Sequence, residues 1–179
     1  MDQAAELGMA TYPFHEAASG RVEAPPQDLF DRLDDPQNLS MHMEEPSIAM
    51  LGARMRLSTD PLGGHCVGSV IRMEGRVLGI PLWLEEAITE RDPPHFKTWE
   101  SRGEPRLIVI GPYRMAFHIA ADRRGSQLTI SIDYRWPAGA WGGLLGRLFA
   151  RSYAKWCCAR MLRDAQAAFA ACAPPEAST

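Results

Sequence analysis

Gln127-Leu-Thr-Ile-Ser-Ile-Asp-Tyr-Arg-Trp136 alternates without a fault: Leu128, Ile130, Ile132, Tyr134 and Trp136 fall on one face, and Gln127, Thr129, Ser131, Asp133 and Arg135 on the other. A period of two with one apolar and one polar side marks a strand that buries one face and wets the other, as antiparallel sheets do. Just upstream, Asp122-Arg-Arg-Gly125 is a polar turn ending in glycine, and Arg106 to Ala121 reads as a second strand, so the two segments form a hairpin. Beyond Pro137 the period changes. Trp141 to Ala171 contains no proline and carries Trp141, Leu145, Leu148, Ser152, Trp156, Ala159 and Leu162 at spacings of three and four, the stripe of one long helix. At 1.5 Å per residue such a helix is on the order of 45 Å long.

The same strand grammar repeats upstream in Ser47 to Thr59, His65 to Leu78, Leu82 to Arg91 and His95 to Ser101, which are separated by Asp60-Pro-Leu-Gly-Gly64, Gly79-Ile-Pro81 and Asp92-Pro-Pro94. With the hairpin these make a six-stranded meander. A seventh strand opens the chain at Tyr12 to Val22, with Tyr12, Phe14, Ala18 and Val22 sharing a face. Between it and the meander, Ala24-Pro25-Pro26 starts a short helix whose apolar face is Leu29, Phe30 and Leu33, and Asp35 to His42 is a second. The expected fold is α+β: a curved seven-stranded antiparallel sheet wrapped around a long C-terminal helix, with two short helices after the first strand. A strongly bent sheet cannot touch a straight helix along its whole length, so a cavity between them is expected.

The chain's 179 residues are one domain's worth, expected over residues 10–172 with residues 1–9 and 173–179 as flexible ends. With 46% hydrophobic and 23% charged residues it can build a core. The net charge of −3 lacks the basic excess that a nucleic-acid partner requires. Cys66, Cys157, Cys158 and Cys172 stand in a chain with no basic, apolar leader at Met1-Asp-Gln-Ala-Ala-Glu6, so reduced thiols and a cytoplasmic location are expected. The longest run without a polar residue, Leu107 to Tyr113, is far short of the roughly 20 residues of a spanning helix.

Three segments, Val22-Glu-Ala-Pro-Pro-Gln-Asp-Leu-Phe-Asp-Arg-Leu-Asp-Asp35, Glu86-Ala-Ile-Thr-Glu-Arg-Asp-Pro-Pro94 followed by Trp99, and Ile132-Asp-Tyr-Arg-Trp-Pro137, give the chain a resemblance to the SRPBCC superfamily of helix-grip domains. That superfamily includes START lipid-transfer domains, birch-pollen-allergen-like proteins and polyketide cyclase/dehydrase-like proteins. The resemblance covers roughly residues 10–172 together with the element order. It implies a fold and a hydrophobic pocket and leaves the reaction open, because carriers, sensors and enzymes share the architecture.

Two carboxylates interrupt apolar faces: Glu86 among Leu82, Leu84 and Ile88, and Glu16 among Tyr12, Phe14 and Ala18. Buried without a charge partner, a carboxyl titrates high and can hold a proton or orient a polar ligand group. Tyr134 is the third candidate for proton transfer, since a phenol in an apolar lining can meet a ligand carbonyl. In the hairpin, Met115, Phe117 and Ile119 face inward beside Ile130 and Ile132, leaving Arg114 and His118 outside. The expected ligand-binding set is Tyr12, Phe14, Glu16, Leu84, Glu86, Ile88, Met115, Phe117, Ile130, Ile132 and Tyr134 from the sheet, with Leu148, Ser152 and Trp156 from the helix. The strand His95 to Ser101 is ambiguous, with Phe96 and Trp99 on opposite faces, so Trp99 is not assigned to the pocket.

His15, His42, His65, His95 and His118 never fall at a metal-ligand spacing, and no metal or cofactor is expected. Ala138-Gly-Ala-Trp-Gly-Gly-Leu-Leu-Gly146 lacks the order of a phosphate loop and suits either close packing or a mouth to the cavity shielded by Trp136 and Trp141. Arg147, Arg151 and Lys155 step by four along the last helix, as a solvated face or as a contact for an anionic membrane. Two functions lead, ahead of a stress-response or regulatory partner whose pocket is filled by its own side chains. One is binding or transport of a small hydrophobic molecule, lipid, isoprenoid or aromatic. The other is a polyketide aromatase/cyclase-dehydratase chemistry in which a pocket carboxyl or tyrosine moves a proton. Oligomeric state is not legible.

Overall fold

The computed structural model describes residues 12–38, 54–77 and 79–170. Seven strands, β1 (Phe14–Val22), β2 (Arg54–Thr59), β3 (Val70–Val77), β4 (Ile80–Asp92), β5 (Phe96–Ser101), β6 (Tyr113–Asp122) and β7 (Gly125–Tyr134), form one antiparallel sheet in the order β1-β7-β6-β5-β4-β3-β2. The helix α1 (Pro26–Asp34) follows β1; after β7, α2 (Ala140–Leu145), a π-helical turn (Gly146–Ala150) and α3 (Arg151–Ala170) continue into one another. The expected α+β helix-grip architecture is the one observed. A second helical turn begins at residues 36–38, and the remainder of the short helix expected up to His42 lies outside the described residues, as do Ser47 to residue 53 of the expected second strand.

Strand alternation places the core. Leu128, Ile130, Ile132 and Tyr134 of β7 pair with Ile119, Phe117, Met115 and Tyr113 of β6, and all are buried. Phe30 of α1 meets Phe117 edge-on at 5.5 Å, which caps one end of this surface. The helix α3 packs on β1 and β7. It does so closely, because a Cβ on Gly20 of β1 would come within 3.1 Å of Leu162.

The face that α3 buries differs from the expected stripe. Ala150, Ala154, Cys157, Cys158, Met161, Leu162 and Ala165 are buried, while Leu148 is 62% and Trp141 80% exposed, and Ser152 is exposed with Trp156 half-buried. Both stripes have spacings of three and four. Small residues allow the closer approach to β1, and the π turn, with its extra residue per turn, carries the larger apolar chains off the sheet. The second hairpin strand also starts later than expected, at Tyr113 rather than Arg106. Gly111 is pressed against the Trp136 backbone, where a Cβ would meet the carbonyl oxygen at 2.5 Å, and Pro112 has no N–H to give a ladder.

Gly125 closes the β6–β7 turn with φ +146°, and a Cβ there would lie 2.3 Å from the Val22 carbonyl oxygen. Gly125→Ala is therefore expected to lower stability by about 1–3 kcal/mol, read as a lower urea midpoint at unchanged slope.

Candidate functional site

Glu86 lies where the alternation of β4 puts it, between Leu84 and Ile88, and is 3% exposed. Its backbone neighbours across the sheet are Ile71 on β3 and Ser101 on β5. Ser101 accepts the Tyr113 N–H at its Oγ (2.9 Å), which sets Tyr113 in the next position of the same row. From there the Tyr113 hydroxyl donates to Glu86 Oε1. Trp99 donates a second hydrogen bond to the carboxyl. Burial pushes the Glu86 carboxyl up from its ordinary 4.5 to about 7; the bonds from Tyr113 and Trp99 and the charge of Lys97 pull the other way and only reduce the rise. Burial, reinforced by the Glu86 charge, raises the Tyr113 phenol well above its ordinary range.

The helix contributes Tyr153 and Cys157, one turn apart on α3. Burial raises the titration of both, and both feel the charge of Glu86. The protein interior thus holds one carboxyl that is half protonated near neutrality, with a phenol as its donor and a second phenol and a thiol close by. Protonated, Glu86 can donate to a ligand carbonyl; ionised, it can take a proton from carbon or oxygen. Because the Tyr113 bond favours the ionised form, Tyr113→Phe is expected to raise the Glu86 titration further. A carboxyl-carbon NMR titration would show the midpoint moving above 7.

The expected trio of Glu16, Glu86 and Tyr134 does not converge. Glu16 belongs to β1 and Glu86 to β4, four strand positions apart, and at about 4.8 Å per strand they are far beyond hydrogen-bond reach. Glu16 is held by Arg151 (2.8 Å) and lies 3.9 Å from Lys155, at the edge where α3 crosses β1. Tyr134, though 2% exposed, lines a cleft of about 430 Å³ with Phe14, Glu16, Trp136, Arg147 and Arg151. Phe14 stacks on Trp136 at 4.7 Å and meets the Tyr134 ring at 5.5 Å.

Leu84, Ile88, Met115, Phe117, Ile130 and Ile132 are all buried on the inner sheet face as expected. Tyr12 is not with them. It precedes β1, separated from it by Pro13, so the alternation does not reach it; its ring lies 5.8 Å from the guanidinium of Arg114, an outer-face residue paired with Glu100. Leu148 and Ser152 are exposed and stand outside the buried core.

A second buried polar group lies on the same inner face. A bulge at Thr89 shifts the β4–β5 register between Ile88 and Glu90, which brings Arg91 opposite Lys97 on the inner face. There Asp34, the last residue of α1, receives two bonds from Arg91 (3.1 and 3.0 Å), one from Lys97 (2.8 Å) and a contact with His65 Nδ1 (2.8 Å). Lys97, 1% exposed, also donates to the carbonyls of Asp34 (2.8 Å) and Gly64 (2.7 Å). Burial pushes the Asp34 carboxyl up, but the bonds from Arg91, Lys97 and His65 outweigh it and hold the group well below the usual carboxylate range. This cluster ties α1 and the β2–β3 turn to β5. Among the described residues no group of three or more His, Cys, Asp or Glu is arranged to hold a metal ion.

A seven-stranded antiparallel sheet packed against one long C-terminal helix defines a helix-grip domain. Residues 15–170 match the family described as polyketide cyclase / dehydrase and lipid transport, and the chain belongs to that SRPBCC-type family. Among solved structures it is similar to the ZhuI aromatase/cyclase from Streptomyces sp. R1128 (TM-score 0.67, 12% identity, 93% of this chain and 99% of that one). It is also similar to TTHA0849 from Thermus thermophilus (TM-score 0.65, 14% identity, 90% and 100%) and to Ara h 8.0201 (TM-score 0.50, 13% identity, 84% and 98%). At these identities the likeness is one of fold. No curated protein matches the sequence.

Proposed function

We propose that the protein encloses a small hydrophobic molecule, a lipid, isoprenoid or aromatic polyketide-like compound, between the inner sheet face and the C-terminal helix, with Glu86 and Tyr113 as its polar contact. The observation that carries this reading is the buried Glu86–Tyr113 pair on an otherwise apolar stretch of sheet. Burying a carboxyl costs free energy that an apolar residue at the same position would not, so stability alone does not account for it. Family membership supports the same class of ligand. Affinity would come from apolar burial at about 25 cal/mol per Å², with the pair fixing orientation.

A second reading is favoured by one observation, the full burial of the Glu86 carboxyl beside the Tyr113 hydroxyl, which pushes its titration up to about 7. An acid matched to neutral pH can pass a proton during ring closure and dehydration of a polyketone, the work of an aromatase/cyclase. Native mass spectrometry and thermal shift across fatty acids, isoprenoids and aromatic polyketides test both. A bound compound should raise the unfolding free energy by about 2.7 kcal/mol at a hundredfold excess over Kd. An empty protein with no shift across the panel would contradict both readings. Turnover of a polyketone that Glu86→Gln lowers by roughly 10²–10⁴ would select the enzyme.

A further inference from the structure

We infer that the stretch running from α2 through the π turn is a docking surface for an anionic lipid bilayer. Trp141, Leu144, Leu148 and Phe149 are 80%, 50%, 62% and 52% exposed, and Trp136 beside them is 37% exposed. The opposite side of the same stretch, Gly146 and Ala150, is buried, so these large apolar chains stand outside the core on a backbone that is itself anchored.

Charge decides what covers them. From Tyr134 to Arg163 the sequence carries six Lys and Arg and no Asp or Glu, whereas the rest of the chain carries 13 against 22. Arg147 lies 5.6 Å from the centre of the Trp136 ring, on the margin of the apolar patch. Arg151 and Lys155 share the single carboxylate of Glu16, while Arg135 and Arg160 face Glu104 and Asp164. The margin therefore keeps a positive excess. A second copy of this chain, docked patch to patch about a two-fold axis, would bring like charges together. An anionic bilayer accepts both parts: tryptophan settles at the headgroup level, apolar chains sink below it, and arginines reach back to the phosphates. Among the described residues no helix is long and apolar enough to cross a membrane, so the contact lies in the interface plane. The surface borders the cleft lined by Trp136, Gly146, Arg147 and Arg151, so docking would set that opening against the lipid.

Co-sedimentation of the full chain with phosphatidylcholine vesicles, with and without about one third phosphatidylserine, tests this. Binding is expected to be at least about tenfold stronger on the anionic vesicles, accompanied by a blue shift of tryptophan emission. Trp141→Ser with Leu148→Ser should reduce that binding by about tenfold or more while the thermal midpoint stays unchanged, since both residues lie outside the core. Arg147→Glu should weaken binding to the anionic vesicles alone. Equal, weak partitioning onto both vesicles, or a double variant that binds as the parent does, would overturn the proposal. So would a dimer that the double variant dissolves in the absence of any vesicle binding.

Discussion

Asp34→Ala is expected to lower the free energy of unfolding by about 3–5 kcal/mol, the effect of leaving a buried charge without its partner. Lys97 would keep only the carbonyls of residues 34 and 64, and Arg91 would lose both of its bonds. For a chain of this size that loss is a fall of roughly 10 °C in Tm. Joining Lys97→Met to Asp34→Ala should recover part of it, because an apolar side chain then replaces an uncompensated ammonium. A double-mutant cycle by urea denaturation measures the coupling. The pH dependence has a defined sign. A carboxyl held below its unfolded value contributes its stability above pH 3.8 and loses it as pH falls through the lowered folded value, so the parent should lose stability in acid faster than Asp34→Ala.

Glu86→Gln should have the opposite sign. A carboxyl that titrates higher when folded holds its proton more tightly in the folded chain, so the parent is stabilised as pH falls from about 7 towards 4.5 and destabilised as pH rises through that window. Glutamine has nearly the same shape and carries no titrating proton. Between pH 4 and pH 8 the stability difference should therefore move in favour of Glu86→Gln by up to about 3 kcal/mol, at 1.36 kcal/mol per pH unit. Urea denaturation of both proteins across that range reads it. A difference that stays flat would place the Glu86 carboxyl in contact with water.

Much of this arrangement is written locally. The faultless alternation of Gln127 to Trp136 and the polar turn before it lead to the β6–β7 hairpin, and counting by two along Leu82, Leu84, Glu86 and Ile88 puts the acid inside. Tyr113 is reached by the same count back from Phe117 and Met115, but it sits at the end of an apolar run that hides where the strand begins. Trp99 is harder to place, since the residues sharing its face of the short strand are Lys97 and Ser101, whose polarity puts that face outside. Asp34 and the Gly64 carbonyl, both more than thirty residues earlier in the chain, make that inward lysine tolerable, and such long-range partners leave no mark in local periodicity. The helix offered two stripes of equal spacing. Counting large apolar residues selects the one carrying Leu148 and Ser152, whereas the fold buries the small-residue stripe that lets α3 approach Gly20.

In the proposed binding mode the ligand meets the Glu86–Tyr113 pair on the inner face. The indole N–H resonance of Trp99, distinguished from those of Trp83, Trp136, Trp141 and Trp156 with Trp99→Phe, reports on that place, because the Trp99 indole bonds the Glu86 carboxyl. Titration with an aromatic polyketide or fatty acid that raises Tm should shift the Trp99 signal first, and Glu86→Gln should weaken that shift. A ligand that stabilises the protein and moves the Trp136 signal while Trp99 stays fixed would contradict that binding mode and assign binding to the cleft instead.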